Sequence, residues 1–210
     1  MATLGVTGHM VRTLLIVGLA CTLTPPSLAG KYNEKLTVGD PAPAWTDLPG
    51  TDDRRHSLAD LKDKEVVILV FTCNSCPIAV GYEDRIIACA KKYADKSVAV
   101  VAVNVNTIEA DRLDKMSERA KDKGFTFAYL YDETQTIARD YGAAYTPEFF
   151  VLDRDRRVAY TGAMDDVSPP RAATKHHLDD AVDALLAGRK PAVAETRPRG
   201  CAIRFPKPKR

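Results

Sequence analysis

The chain alternates between unbroken apolar runs and segments whose apolar residues recur at helical spacing. The run Val66–Phe71 is entirely apolar, rich in β-branched residues and preceded by charged ones, which is typical of a strand buried on both faces of a helix-covered sheet. From Ile78 to Tyr93 the apolar positions predict a helix, and Pro77 suits its first turn. A buried strand therefore passes directly into a helix near residues 72–77.

The other elements follow in an order typical of α/β domains. A hairpin and turn are predicted over residues 47–61. The predicted strands are Val98–Val105, Phe127–Tyr131, Glu148–Asp153 and Arg157–Gly162, and the predicted helices are Arg112–Lys123, Thr136–Tyr141 and His176–Leu186. Long crossovers imply parallel pairing of the first strands, and the last two strands form a hairpin. The pattern predicts an α/β/α sandwich, a central mixed sheet with helices on both faces.

Cys73 and Cys76 lie at the junction between the buried strand and its helix. This Cys-x-x-Cys spacing lets two sulfurs meet across one helical turn, and the positive end of the helix dipole favours a thiolate there. Thiol–disulfide exchange needs a nucleophilic thiol beside a second thiol that resolves the mixed disulfide. We therefore predict that Cys73, at the exposed end of the strand, attacks with a pKa below the usual ~8.5, and that Cys76, one turn into the helix, resolves.

Two other interpretations of this motif are weaker. Cys-x-x-Cys is half of a zinc site, but no second half with metal-ligand spacing accompanies it, so no metal is predicted. A purely structural disulfide between neighbouring residues would stabilise the fold little. Cys89, among apolar helical positions, is interpreted as a buried inert thiol.

The stretch Phe71–Pro77, followed by Tyr82–Arg85, resembles the redoxin branch of the peroxiredoxin superfamily, and most closely its peroxiredoxin-like group with a thioredoxin-type Cys-x-x-Cys. The resemblance covers residues 39–201. It implies a thioredoxin-like fold and no cofactor beyond a redox-active Cys73–Cys76 disulfide.

The resemblance also assigns roles beyond the two cysteines. It implies a cis Thr146–Pro147 bond facing the dithiol, so that Thr146 forms a rim on which an extended polypeptide adds as a strand; an ordinary trans proline is the alternative. Glu148 could accept a proton, although an exposed carboxylate is the simpler interpretation.

The segment around Cys201 resembles the closing segment of the group. We hypothesise that Cys201 is an auxiliary thiol exchanging with the pair; an incidental cysteine is the alternative.

Two other functions fit parts of this pattern. Cys76-Pro77 aligns with the peroxidatic Cys-Pro of peroxiredoxins, but Cys73 and Leu69 stand where those enzymes have Thr or Ser and Pro, so we expect weak thiol peroxidase activity at best. A copper metallochaperone of the Sco type would need a longer cysteine spacing and a histidine at the place of Arg154. The copper interpretation is therefore the weakest.

The N-terminus predicts export. Arg12 precedes a short apolar core over residues 14–23, and Ser27-Leu28-Ala29 supplies small residues for cleavage after Ala29. The alternative is a lipid anchor at Cys21. Residues 1–29 are thus interpreted as a signal peptide, and the mature protein as periplasmic or otherwise extracytoplasmic, where disulfides persist.

Charge is distributed unevenly along the mature chain. Residues 189–210 carry eight Lys/Arg against one Glu, whereas residues 30–188 carry 21 basic and 27 acidic residues, a net charge of −6. The overall charge of +2 gives no nucleic-acid signature. We interpret residues 30–188 as the thioredoxin-like domain and residues 189–210 as a basic tail. The tail is taken to be solvated by default, and the alternatives are docking on the domain or on a membrane surface.

The expected partners are exported proteins with cysteines or disulfides and an upstream thiol reductant or oxidant.

Overall fold

The computed structural model describes residues 1–2, 30–169 and 171–206. The helices are α1 Pro77–Lys92, α2 Leu113–Lys123, α3 Thr136–Tyr141 and α4 His177–Leu186. The strands are β1 Leu48–Pro49, β2 Arg55–His56, β3 Val66–Phe71, β4 Val98–Asn104, β5 Ala128–Tyr131, β6 Tyr145–Thr146, β7 Glu148–Leu152, β8 Val158–Gly162 and β9 Cys201–Ala202. Each predicted strand and helix is present, with bounds that differ by at most one residue.

Five strands form one mixed sheet in the order β5-β4-β3-β7-β8. Strand β3 lies at its centre, parallel to β4 and antiparallel to β7, and β7 and β8 form the predicted hairpin. All six residues of β3 are buried, because both faces of the sheet are covered. The carboxyl end of β3, where Cys73 follows, therefore lies in the middle of the fold.

Alternate residues of β3 serve two separate cores. Val66, Ile68 and Val70 pack on the side of α1, α2 and α4. Val67, Leu69 and Phe71 pack on the opposite side, with α3 and the segment that precedes β1. This confirms the predicted sandwich with helices on both faces of a mixed sheet.

The C-terminal segment differs from its default interpretation as a solvated tail, because residues 194–206 lie against the domain. Strand β9 pairs antiparallel with β6, and the Glu195 carboxylate accepts hydrogen bonds from the Lys31 and Tyr32 amides at 2.9 and 2.7 Å. Ile203 is buried in the second core. Apolar side chains and backbone pairing hold this basic segment, which composition alone could not show.

The predicted signal peptide lies almost wholly outside the described residues, since residues 3–29 are not among them. No helix in the described part of the chain is long and apolar enough to cross a membrane.

Candidate active site

The two cysteines of the motif occupy different positions at the start of α1. Cys73 follows β3, whereas Cys76 is the N-cap residue of α1, and the Ala79 amide donates a hydrogen bond to its Sγ at 3.4 Å. The prediction placed Cys76 one turn inside the helix. Since Pro77 is the first helical residue, Cys76 instead faces the unpaired amides at the helix start, where the dipole favours negative charge on sulfur.

Thr146, which precedes Pro147, lies against both cysteines. The Thr146–Pro147 peptide bond is cis. The Cys73 Sγ and the Thr146 Oγ1 are 3.4 Å apart, and the Cys76 Sγ is 3.2 Å from the Thr146 carbonyl oxygen. One residue of the cis-proline loop thus contacts both sulfurs of the motif.

The disulfide in this structure joins Cys76 to Cys201, while Cys73 is a free thiol. The predicted Cys73–Cys76 bond is therefore not the one formed here. The reason is the path of the C-terminal segment, because the pairing of β9 with β6 places Cys201 opposite Thr146 and hence beside Cys76. The hypothesis that Cys201 returns to the dithiol agrees with this geometry.

The environment of Cys73 differs from its prediction as an exposed thiol with a lowered pKa. Only 2% of Cys73 is exposed. Burial raises the pKa of its thiol and the nearby Asp111 charge adds to this rise, although the Thr146 hydroxyl opposes it. The lowered pKa is thus wrong for this state, since the cover over Cys73 outweighs the helix dipole.

Asp111 organises the loop between the two cysteines, and the sequence analysis did not identify it. Its buried carboxylate accepts hydrogen bonds from the amides of Asn74 and Ser75, at 2.7 and 3.2 Å, and from the Ser75 hydroxyl. The side-chain amide of Asn104, at the end of β4, also donates a hydrogen bond to this carboxylate at 3.2 Å. An acidic residue soon after a neighbouring strand was the available signal, because parallel strands end at the same edge.

Glu148 is buried rather than exposed, which corrects its simpler interpretation. Only 2% of it is accessible, and its carboxylate accepts hydrogen bonds from the Ala144 and Tyr145 amides at 2.8 and 3.0 Å. Burial raises the pKa of Glu148 to about 7, against the lowering effect of those two amides. Glu148 thus holds the segment that pairs with the C-terminal strand.

Among the cysteines that the structure describes, Cys89 lies apart from this arrangement. Cys89 is buried in α1, and burial raises the pKa of its thiol to about 12, as expected for an inert thiol. Among residues 1–2, 30–169 and 171–206 no group of three or more His, Cys, Asp or Glu side chains could hold a metal ion.

A groove of about 450 Å³ opens beside the Cys76–Cys201 bond. Pro77, Ile108, Thr146 and Arg204 lie along it. Ile108 is 55% exposed and places a large apolar side chain at the rim of the groove. The groove is therefore a polypeptide-sized approach to the sulfurs, with an apolar residue at its rim.

Comparisons with known proteins agree with this site. The Redoxin family model matches residues 37–181. The thiol-disulfide oxidoreductase ResA of Geobacillus thermodenitrificans is 27% identical over 176 residues, which cover 81% of this chain and 94% of that protein. A Mycobacterium tuberculosis protein provisionally described as a peroxiredoxin is 29% identical over 114 residues, 52% of this chain and 66% of that protein. A crystal structure of a hypothetical protein from Sinorhizobium meliloti superposes with a TM-score of 0.76 and 34% identity, covering 81% of this chain and 96% of that one.

Proposed function

The chain belongs to the redoxin family and is a thiol–disulfide oxidoreductase, and from this premise we propose that it acts outside the cytoplasm on cysteines of exported proteins. The observation that carries the proposal is the contact of Cys73 and Cys76 with Thr146 of the cis-proline loop. Two sulfurs beside one strand edge are placed to exchange a disulfide with a polypeptide that adds to that edge. Export rests on the N-terminal sequence, and the mass of the mature chain, expected to begin at Gly30, tests it.

The geometry favours Cys76 as the sulfur that bonds to the substrate. Cys76 faces the start of α1, and in this structure it already bonds to a cysteine carried on a paired strand. Both cysteines are buried, with 2% of Cys73 and 4% of Cys76 exposed, but only Cys76 lines the groove beside the Cys76–Cys201 bond. Burial also raises the pKa of the Cys73 thiol. We therefore assign the attack on the substrate to Cys76 and the resolving step to Cys73, the reverse of the order predicted from the spacing.

The exchange is balanced without any further reactant. The Cys76 thiolate attacks one sulfur of a substrate disulfide, and the second substrate sulfur leaves as a thiolate that takes up a proton. The Cys73 thiolate then attacks the Cys76 Sγ, which forms the Cys73–Cys76 disulfide and releases the first substrate sulfur. The substrate is reduced by two electrons and the dithiol is oxidised; the reverse sequence oxidises a substrate dithiol.

Trapping tests this order. In a background that lacks Cys201, we expect Cys73→Ser to accumulate mixed disulfides with insulin through Cys76, and Cys76→Ser to accumulate about tenfold less through the buried Cys73. The adducts are counted by mass spectrometry under non-reducing conditions. Trapping only in the Cys76→Ser variant would restore the order predicted from the sequence. Trapping in neither variant would contradict the proposed function.

A thiol peroxidase is the second candidate, and the Cys76–Cys201 bond is the observation that favours it. A peroxide would oxidise Cys76 to a sulfenic acid and leave as water or an alcohol. The Cys201 thiol would then condense with that group, release water and form this bond.

We nevertheless expect the reaction of Cys76 with peroxide to be as slow as that of an ordinary thiol. The residues that hold peroxide in the resembling enzymes are replaced here by Cys73 and Leu69. Stopped-flow oxidation of the reduced protein by hydrogen peroxide, with Cys76→Ser as the control, measures the rate. A rate typical of dedicated peroxiredoxins would make peroxidase the principal function.

A further inference from the structure

The strand edge beside the dithiol is occupied by the chain's own C-terminal segment. Cys201 pairs with Thr146 and Ala202 with Tyr145, in antiparallel register, and the Ile203 amide donates to the Ala144 carbonyl at 2.8 Å. An extended peptide that adds to a sheet edge makes backbone hydrogen bonds of this kind. The C-terminal segment therefore occupies the edge as an added strand would. Its contacts show which side chains the edge can accept at each position.

The first requirement is a glycine immediately before the cysteine. A Cβ added to Gly200 would lie 2.3 Å from the Thr146 carbonyl oxygen and 2.8 Å from the Pro147 nitrogen. Both are backbone atoms next to the dithiol, so neither can move aside as a flexible side chain would. A strand can therefore pair with β6 and place its cysteine opposite Thr146 only when the residue before that cysteine is glycine.

The second requirement is an aliphatic residue two positions after the cysteine. Ile203 is 7% exposed and packs in the core that includes Leu130 and Tyr141. The buried Gln135 side chain fixes the adjoining backbone, because its Nε2 donates to the Arg204 carbonyl at 3.1 Å. The segment thus docks at two points, one on each side of the exposed Ala202.

We propose that the cis-proline edge is a binding site for extended segments of the form Gly-Cys-x-aliphatic, and that residues 200–203 are an internal occupant which a substrate must displace. The inference rests on the proposed function and names the substrate class of the same site. Attack of the Cys73 thiolate on the Cys76 Sγ forms the Cys73–Cys76 bond and releases Cys201 as a thiolate, with no net oxidation or reduction. That exchange frees the strand from its covalent attachment.

A peptide with the sequence of residues 197–206 tests the requirement for glycine. Its cysteine is linked to 5-thio-2-nitrobenzoate, whose release is followed by absorbance, and the enzyme is the reduced full-length Cys201→Ser variant. We expect release from this peptide to be at least about tenfold faster than from a peptide carrying the Gly200→Val change, and severalfold faster than from one carrying Ile203→Ser.

A change in the protein itself tests whether residues 200–203 occupy the cis-proline edge. Adding Ile203→Ala to the Cys201→Ser variant weakens the internal strand, so release from the unchanged peptide is expected to accelerate severalfold. The matched control is Val193→Ala in the same background, because Val193 belongs to the same segment but is 48% exposed, and it should leave the rate unchanged. Thermal unfolding of each variant verifies that it folds.

The outcomes separate the inference from the function on which it rests. Equal release from the unchanged peptide and from the peptide carrying Gly200→Val overturns the substrate class and leaves the oxidoreductase assignment intact. A peptide preference without acceleration by Ile203→Ala overturns the internal occupant. No release from any peptide contradicts the proposed function itself. If the Ile203→Ala protein does not fold, the peptide comparison decides the substrate class. The milder Ile203→Val change in the Cys201→Ser background, expected to accelerate release to a smaller extent, then decides the occupancy.

Discussion

Replacing Cys201 by serine is expected to lower the free energy of unfolding of the oxidised protein by about 2 to 5 kcal/mol. The Cys76–Cys201 bond joins residues 125 apart in the sequence. Closing a loop of that length restricts the unfolded chain strongly, by about 5 kcal/mol in the chain-entropy account. Urea unfolding followed by circular dichroism measures the difference.

The comparison with reduced protein isolates the contribution of the bond. Under a strong reductant the wild type and the Cys201→Ser variant should have nearly equal stability, because neither then contains the bridge. Cys89→Ser is the matched control, since Cys89 is a buried free cysteine of α1 and its replacement leaves the dependence on reductant in place. Equal free energies for the oxidised wild type and the oxidised Cys201→Ser variant would show that the bridge does not form in solution.

Glu148 is expected to make the protein less stable as the pH rises from 4.5 to about 7. Burial raises the pKa of Glu148 from its usual 4.5 to about 7 in the folded protein. Because the folded state binds this proton more tightly than the unfolded chain, the stabilisation is fully present below pH 4.5 and is lost as the pH rises through about 7. A shift of this size corresponds to about 3 kcal/mol.

The Glu148→Gln variant should lack this loss, since an uncharged amide oxygen still accepts from the Ala144 or Tyr145 amide. The free energy of unfolding is measured from pH 4.5 to pH 8 for both proteins. Glu133→Gln, at an exposed carboxylate, is the control and should follow the wild type. Parallel curves for the wild type and Glu148→Gln would mean that Glu148 is ionised without cost in the folded state.

Local patterns predicted the framework of the site well. The apolar run of β3 ends in the cysteine motif, and the chain then turns into α1, so the position of Cys73 and Cys76 followed from periodicity. The cis Thr146–Pro147 bond followed from the resemblance to redoxin domains rather than from composition. These features depend on residues close together in the chain or on a recognisable short motif.

The features that were missed depend on contacts between distant segments. The approach of Cys201 to the dithiol was hypothesised only from the resemblance of the closing segment. Neither a basic composition nor cysteine spacing encodes the return of that segment to β6, which brings Cys201 to Cys76. The cover over the dithiol reverses the expected pKa shift of Cys73. Asp111 contacts the loop between the cysteines only because β3 and β4 are adjacent. Desolvation and tertiary hydrogen bonding therefore decided the chemistry of residues that the pattern had located.

The hydrogen bonds from Lys31 and Tyr32 to Glu195 connect maturation of the chain with closure of its site. Cleavage after Ala29 would create a positively charged α-amino group at Gly30, next to those two donors. A carboxylate that faces an ammonium gains a stronger, charge-assisted interaction. The precursor lacks that charge, so the mature protein should hold its C-terminal segment more firmly. If the proposed cleavage after Ala29 takes place, processing at one end of the chain would therefore strengthen the attachment of the C-terminal segment at the other.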